Sequence, residues 1–320
     1  LALAAILVLF GLVSLLILTG GAGLVQDPLF CVFVVFSFAS AVDLIIALEE
    51  DGIISGFMEL YVREGDPHLR TAHGLLTCYW DGTVHYGLCL AMAGALGKRR
   101  SYRALGLFWL GSLLMSAVVF LLGNLIGTAV WRVRGALGGA LSGPGGVQRG
   151  LEELGGFLEP PGEDLGGPGR VPCPRPPLPP QVVLDCPADS CFDYTYLHEP
   201  YLRDPVGYPK VQMLIYLFYL LPFLLLAIYG LAWPGCSWLP DWSLLVAGAV
   251  AQAQFAHLGS SLHSRTPFPY QTPDEVLWSF LLSNVLYALG PQLLALRCLR
   301  SPAFFLPAAA PGLARAKKYQ

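Results

Sequence analysis

Residues 28–48 read PLFCVFVVFSFASAVDLIIAL, an apolar run in which Asp43 is the only acidic or basic residue. A helix needs about 20 such residues to cross a hydrocarbon layer of ~30 Å. Six further runs have similar length and apolar character, at 1–19, 71–97, 105–127, 211–233, 243–263 and 276–297. The sequence therefore predicts an all-α fold, a polytopic bundle of transmembrane helices.

The composition supports a membrane protein. Hydrophobic residues make up 55% of the chain and charged residues 13%, against about 25% charged in ordinary soluble domains. With a net charge of −3 and no dense basic stripe, the chain lacks the phosphate-neutralising surface that nucleic-acid binding requires. The cysteines and histidines follow no zinc-ligand spacing, and no nucleotide-binding or hydrolase motif is present, so neither a metal nor a cofactor is predicted.

Basic residues are concentrated at two places along the chain. One is the link at 98–103 (KRRSYR), and the other is the tail after residue 297. Because short cytosolic segments are enriched in lysine and arginine, both places are predicted to face the cytosol. The acidic link at 49–70 and the segment 128–210 then lie on the opposite side. The two clusters give the same orientation independently.

The extreme C-terminus carries Lys317 and Lys318 at the positions of a dilysine retrieval signal. Such an address is read by a cytosolic coat that returns membrane proteins to the endoplasmic reticulum. Residues 301–320 are therefore predicted to form a cytosolic tail with a retrieval signal. The predicted location is the endoplasmic reticulum membrane, and the alternative location is the intermediate compartment before the Golgi. The alternative to a retrieval signal is an ordinary basic tail.

Residues 128–180 differ in composition from the rest of the chain. Glycine and proline dominate, as at 143–146 (GPGG) and 174–177 (PRPP). Such a segment cannot bury enough apolar surface to order itself, so a disordered insert is predicted. The insert separates an N-terminal helix and a first repeat from a second repeat and the tail, with predicted boundaries at 1–26, 27–127, 181–300 and 301–320.

A weak internal sequence similarity suggests that the two halves are related. Residues 59–67 (ELYVREGDP) precede one predicted span, and residues 201–209 (YLRDPVGYP) precede another. Internal duplication is common in membrane proteins and tends to place a binding site between the repeated units. On its own this similarity is weak evidence for a duplication.

Ionisable residues within a span are expensive, so each is a candidate for function. Asp81 and His85 lie four residues apart in the stretch 78–86 (CYWDGTVHY), on one face of a helix. A carboxylate beside an imidazole can act as acid and base, and Trp80 offers a π face to a cation. Asp43 is expected to face this pair across the helix interface. The alternative is a structural pair that satisfies itself within the bundle.

Four polar residues in the last two predicted spans are further ligand-binding candidates. Gln254 and His257 share one helix face, and Asn284 and Tyr287 lie one turn apart on the final span. The alternatives are a buried histidine that is merely hydrogen-bonded and an asparagine that holds helices together. The residues alone leave both readings open.

Several motifs resemble the transmembrane 6 superfamily. They stand at 27–30 (DPLF), 69–74 (LRTAHG), 78–86 (CYWDGTVHY), 182–186 (VVLDC), 199–205 (EPYLRDP), 234–241 (PGCSWLPD) and 252–257 (QAQFAH). The resemblance covers about 1–127 and 181–320. It implies two EXPERA domains, the four-helix unit also found in emopamil-binding protein, which is a sterol isomerase, and in the sigma-2 receptor.

Both EXPERA-type repeats are predicted to be incomplete. The family pattern implies the last helix of the first unit and the first helix of the second where the Gly/Pro-rich insert stands, so these middle helices are missing or replaced. For the isomerase, the resemblance implies His and Glu on the first helix, Glu on the second, and Asn and Trp on the fourth. Here the matching residues are Asp43, Asp81, Asn284 and Tyr287, with Ala47 in place of a carboxylate. Neither unit holds a full set.

The resemblance implies a regulator of lipid metabolism that affects the secretion of triglyceride-rich lipoproteins and the lipid-droplet content of the cell. Its predicted ligand is a lipid or sterol bound between the helices, and other lipid-handling proteins of the endoplasmic reticulum are candidate partners. A non-enzymatic or vestigially enzymatic role is preferred. The alternatives are a sterol Δ8–Δ7 isomerase that uses Asp81 and His85, and a scaffold that acts through protein partners alone.

Overall fold

The computed structural model describes residues 27–56, 67–141, 194–204 and 206–306, and for 127–141 it describes the backbone helix alone. The helices in these ranges are α1 (Pro28–Glu50), α2 (Ala72–Trp80), α3 (Tyr86–Gly97), α4 (Arg103–Leu141), α5 (Tyr208–Ile215), α6 (Leu221–Ala232), α7 (Leu239–Leu262), α8 (Leu277–Arg300) and α9 (Pro302–Phe305). One π-helical turn, Asp81–His85, joins α2 to α3, and another, Tyr216–Leu220, joins α5 to α6. No strand occurs within the described ranges, and the predicted all-α fold is confirmed.

The ends of α1 follow from local chemistry. At the start, the Asp27 side chain accepts a hydrogen bond from the Leu29 amide at 2.9 Å, and Pro28 occupies the first turn, where no amide hydrogen is needed. At the other end, Gly52 adopts a positive φ of 74°, a conformation that glycine tolerates best and that commonly ends a helix. The observed helix closely matches the span predicted at 28–48.

Four helical stretches in the described residues are long and apolar enough to cross a membrane: Pro28–Glu50, Arg103–Ile126, Tyr208–Ala232 and Phe268–Arg300. They match four of the predicted spans. The spans predicted at 71–97 and 243–263 are also helical, but the first carries Asp81 and His85 and the second carries Gln252, Gln254 and His257. The span predicted at 1–19 lies outside the described residues.

Most of the surface of the four apolar spans faces outward. Only 22–28% of the most apolar part of each span is buried within the protein. Large apolar side chains such as Phe218, Ile228 and Trp278 are exposed on these helices. A contiguous exposed surface of this kind would be unfavourable in water and is expected against lipid.

The end of α4 differs from the predicted boundary. The composition predicts a disordered insert from residue 128, but α4 continues to Leu141. Residues 128–141 (TAVWRVRGALGGAL) contain no proline and include good helix formers, so the helix can continue. The first proline of the insert is Pro144, beyond the helix end. The insert is therefore helical at its start, and residues 142–180 lie outside the described residues.

Helix α7 is the centre of the bundle, packing against α4, α8 and α2. Its contact with α4 brings the two backbones together. Gly248 of α7 lies against the Phe108 carbonyl, and Gly111 of α4 lies against the Leu245 carbonyl, so that a Cβ atom at either glycine would overlap the facing backbone. Small residues permit such close approach of helices. This close helix contact therefore joins the two halves of the chain.

Ion pairs tie the two halves together at opposite ends of the bundle. At one end Arg103 pairs with Asp241 at 2.5 Å. At the other end the Arg265 guanidinium lies 2.7 Å from the Glu50 carboxylate and also donates to the carbonyls of Glu50 and Arg70. The end of α1, which carries Glu50, and the turn after α7, which carries Arg265, are thus adjacent. Which end faces the cytosol stays a prediction.

Candidate functional site

Gln254, His257, Asn284 and Tyr287 line a single cavity of about 290 Å³ in the second half of the protein. The cavity lies between α5 with its π-helical turn, α7, α8 and the segment 194–203, and we call it the larger cavity. Its volume is at the lower end of the ~300–1,000 Å³ typical of small-molecule sites. Four candidates that the sequence distributes over two helices therefore come together at one place.

The polar end of the larger cavity is built around Glu199, whose side chain is buried. Asn284 Nδ2 donates a hydrogen bond to Glu199 Oε1 at 2.9 Å, and His257 Nε2 lies 3.6 Å from Glu199 Oε2. Burial raises the pKa of Glu199, but the neighbouring His257 imidazole, together with hydrogen bonds from Asn284 and Tyr194, outweighs burial and holds the pKa below its usual range. Glu199 is therefore an ionised carboxylate with its partners in place.

The segment that carries Glu199 folds back over the cavity. A 3₁₀ turn, Pro200–Arg203, buries Pro200, Tyr201 and Leu202 immediately after the carboxylate. The Tyr201 ring lies 5.7 Å from the His257 ring, and the Arg203 guanidinium lies 3.4 Å from the centre of the Tyr196 ring. The first contact fixes the segment to α7, the second lies within the segment, and together they hold Glu199 in the cavity wall.

A second polar group in the larger cavity surrounds Tyr216. Its hydroxyl accepts hydrogen bonds from Gln212 Nε2 at 3.3 Å and from Gln254 Nε2 at 3.2 Å. The Tyr216 and Tyr287 rings lie 5.4 Å apart. The rest of the lining is mainly apolar and includes Leu202 and Met213. The larger cavity therefore combines apolar walls with two separately built polar groups.

A smaller cavity of about 160 Å³ lies in the first half of the protein. Asp43 of α1 and Asp81 of the first π-helical turn both line it, together with His73 and Ser116. The His73 ring stacks at 4.8 Å on Tyr208 of the second half. The structure thus brings two of the predicted site residues, Asp43 and Asp81, to the wall of one polar cavity.

Trp80 and His85 line neither cavity and meet at Ser112 of α4. Trp80 Nε1 donates to Ser112 Oγ at 2.8 Å, and His85 Nε2 lies 2.7 Å from the same oxygen. His85 Nδ1 lies 2.8 Å from Asp81 Oδ1. Ser112 Oγ has two acceptor lone pairs and one hydrogen, so it can bond Trp80 and His85 at the same time. One nitrogen of this buried ring bonds Ser112 and the other lies against Asp81, and this geometry favours the structural interpretation of the pair.

Sequence reasoning misses Glu199, Gln212 and Tyr216 as site residues. Glu199 falls in the predicted far-side segment, outside any predicted span, where an acidic residue is usually solvated. The available signal is its position among Tyr194, Tyr196 and Tyr201, because an acidic residue in an aromatic segment is a poor candidate for a solvated loop. Lys317 and Lys318 of the predicted retrieval signal lie outside the described residues.

The four apolar helices define a multi-pass membrane protein, and a family model identifies its second half. The sequence model of the family described as EXPERA (EXPanded EBP superfamily) matches residues 191–298, which carry every residue named above for the larger cavity. A second sequence model, described as Transmembrane 6 superfamily member 2-like, transmembrane domain, matches residues 1–137.

Relatives place the chain in one family. Transmembrane 6 superfamily member 2 from Rattus norvegicus is 52% identical over 314 residues, which cover 89% of this chain and 81% of the relative. The Homo sapiens protein of that name is 51% identical over 306 residues, covering 87% of this chain and 80% of the relative. The chain belongs to the transmembrane 6 superfamily, and the resemblance inferred from the motifs is confirmed. No solved structure matches the chain significantly.

Proposed function

We propose that this protein is a regulator of lipid metabolism in the endoplasmic reticulum membrane, and that it binds a lipid or sterol in the larger cavity. Through this binding it controls the secretion of triglyceride-rich lipoproteins and the lipid-droplet content of the cell. The observation that carries the proposal is an apolar cavity with a buried, hydrogen-bonded carboxylate, in a bundle whose outer helices expose apolar side chains.

The shape and lining of the larger cavity suit one end of an amphiphile. The apolar walls favour a hydrocarbon or ring system by about 25 cal/mol per Å² of apolar surface removed from water, and the polar groups fix its orientation. Tyr194 and Tyr287 line the cavity and are also partly exposed on the outside of the bundle. Because the cavity is small, the remainder of the ligand would extend past these residues into the bilayer.

Photolabelling tests the binding step. Membranes containing the full chain would be exposed to photoactivatable sterol and diacylglycerol probes, with Asn284→Ala as the site variant. Asn284→Ala removes the donor to Glu199 and should lower labelling several-fold. Ser283→Ala is the matched control, because Ser283 is the neighbouring residue, bonds only the Phe280 carbonyl in the described structure, and is not part of the cavity lining.

A cellular measurement tests the regulatory step. Cells depleted of the protein would be supplied with the wild type, Asn284→Ala or Ser283→Ala at equal steady-state levels, and secreted and stored triglyceride would be measured. Wild type and Ser283→Ala should restore both quantities, whereas Asn284→Ala should not. If depletion left secreted and cellular triglyceride unchanged, the regulatory proposal would be wrong.

A sterol Δ8–Δ7 isomerase is the second candidate function. The observation that favours it is the grouping of Glu199, His257 and Asn284 at one end of the larger cavity. A protonated His257 would protonate the C8=C9 double bond at C9, and Glu199 would stabilise the cation at C8. The neutral His257 would then accept a proton from C7, which gives the C7=C8 product and restores the imidazolium. The reaction moves a double bond and requires no net change in atoms or electrons.

Sterol isomerisation, measured in membranes from an isomerase-deficient cell, distinguishes the two functions. The membranes would contain the wild type, Glu199→Gln or Asp81→Ala. Activity that is lost in Glu199→Gln and kept in Asp81→Ala would assign an enzyme to the larger cavity, and the reverse would assign it to Asp81 and His85. Absence of turnover in well-expressed wild type would exclude the isomerase and leave the binding function.

A further inference from the structure

The Gln254 side chain is incompletely bonded within the larger cavity. It is 3% exposed, and its Nε2 donates to the Tyr216 hydroxyl at 3.2 Å. Its Oε1 is buried and accepts no hydrogen bond from any part of the chain that the structure describes. Buried polar atoms nearly always have partners, so an unpaired amide oxygen on a side chain that lines a cavity points to a ligand that donates to it.

Tyr216 supplies a hydrogen-bond donor that complements the Gln254 acceptor. Its hydroxyl oxygen accepts from Gln254 Nε2 and from Gln212 Nε2, which leaves the hydroxyl hydrogen as a donor. These two lining side chains therefore have one unused acceptor, Gln254 Oε1, beside one unused donor. A rotation of the Gln254 amide by 180° would exchange the two roles and keep this combination. An alcohol, which donates one hydrogen bond and accepts another, matches it.

Other polar head groups fit less well. An ester or an ether has no hydrogen to give to Gln254 Oε1, and would leave that oxygen unpaired. A carboxylate or phosphate head group would likewise lack a donor, and would share the cavity with the Glu199 carboxylate. Sites built to hydrogen-bond a hydroxyl discriminate strongly against analogues that lack it, because their buried polar groups are then left without partners.

We propose that Gln254 and Tyr216 recognise the free hydroxyl of a neutral lipid alcohol, a sterol or a diacylglycerol, and that the larger cavity rejects the esterified, ether-capped and anionic forms. This inference rests on the proposed function, because it assumes that the larger cavity binds lipid. It adds the class of head group and the two residues that select it. The larger cavity thereby distinguishes a lipid alcohol from the ester made from it.

Competition binding in nanodiscs tests the head-group preference with the full chain. A photoactivatable cholesterol probe would be displaced by cholesterol, cholesteryl methyl ether, dioleoylglycerol, the methyl ether of dioleoylglycerol, or oleate. Each alcohol should compete about tenfold better than its own methyl ether, the ratio expected for one lost hydrogen bond to a buried acceptor. A preference confined to the sterol pair, or to the diacylglycerol pair, would identify the source of the hydroxyl.

Two variants assign the preference to the named residues. Gln254→Leu should abolish the difference between alcohol and ether, and Tyr216→Phe should reduce it. The matched control is Gln252→Leu, because Gln252 lies on the same helix, is 1% exposed and lines neither cavity. Gln252→Leu should leave the ratio unchanged, and an equal loss of preference in both glutamine variants would overturn the assignment.

The outcomes separate this inference from the proposed function. If wild type is labelled and alcohol and ether compete equally, the head-group inference is wrong and lipid binding stands. If wild type is not labelled by the sterol probe or by a diacylglycerol probe, lipid binding itself fails. The comparison of alcohol with ether in the wild type needs no variant, so it remains decisive if a substitution prevents folding.

Discussion

Glu199 is the residue on which the chemistry of the larger cavity depends, because it joins the loop segment to α7 and α8. Its folded-state pKa lies below the ordinary value of 4.5, so the unfolded chain takes up a proton first as the pH falls. The stabilisation from an ionised Glu199 is therefore fully present above about pH 4.5 and is lost as the pH falls through the lower folded-state value.

Thermal unfolding in detergent between pH 7 and pH 3.5 checks this dependence. Wild type should lose stability in the acid part of the range, and Glu199→Gln should show a flatter profile and a lower stability at pH 7. Glu275→Gln, a change at an exposed glutamate, should behave like wild type. Identical acid profiles for wild type and Glu199→Gln would contradict the assignment.

In the first half of the protein, Ser112 has the central position that Glu199 has in the larger cavity, because its hydroxyl oxygen contacts both Trp80 Nε1 and His85 Nε2. Ser112→Ala should lower the free energy of unfolding by about 1–3 kcal/mol, because a buried indole N–H and a buried imidazole nitrogen each lose their partner. Photolabelling of the larger cavity should be unchanged. Ser279→Ala is the control, since that exposed hydroxyl bonds only its own helix end. A loss no greater than that of Ser279→Ala would contradict the prediction.

At the residue scale the sequence predicts candidates and not their grouping. A polar side chain inside an apolar run is visible in one dimension, which is how Asp43, Gln254, His257 and Asn284 are identified. Their division between two cavities depends on how α7 packs against α8 and α4, and spacing along one helix carries no such information. Glu199 escapes prediction because its burial results from a tertiary contact of a loop.

At the element scale, the close contact between α4 and α7 depends on two glycines, Gly111 and Gly248. Gly248→Ala should lower the free energy of unfolding by about 1–3 kcal/mol, since the added methyl group would meet the Phe108 backbone and not a side chain that can rotate away. Gly94→Ala is the matched change, because a Cβ atom there would meet no described atom within 4 Å and alanine favours a helix. Equal stability of the two variants would disprove the backbone contact.

Helix positions are predicted well because length and hydropathy alone identify a membrane span. The two π-helical turns that join α2 to α3 and α5 to α6 are not predicted, since each is set by packing of the residues it contains. At the first, Gly82 lies directly against Leu44 of α1, and the turn directs Asp81 and His85 to different surroundings. At the second, Tyr216 is directed into the larger cavity. Both turns therefore occur where polar side chains must be placed.

At the scale of the whole molecule, the predicted tail address has a direct test. Replacing Lys317 and Lys318 with serine should move the protein from the endoplasmic reticulum to later compartments, because the coat that retrieves it would no longer bind. Fluorescence microscopy against compartment markers measures the change. Arg315→Ser is the control for loss of positive charge. Unchanged localisation of the double variant would remove the retrieval signal from the proposal.

The Arg265 contacts form late in the synthesis of the chain. Arg265 reaches the Glu50 carboxylate across a separation of 215 residues, so this ion pair cannot form until most of the chain has been synthesised. At a synthesis rate of ~5–20 residues per second, the end of α1 waits roughly 10–40 s for its partner. During that interval the first half stands in the bilayer without its Arg265 contact. A nascent chain that ends before Arg265 thus leaves the Glu50 carboxylate without this partner.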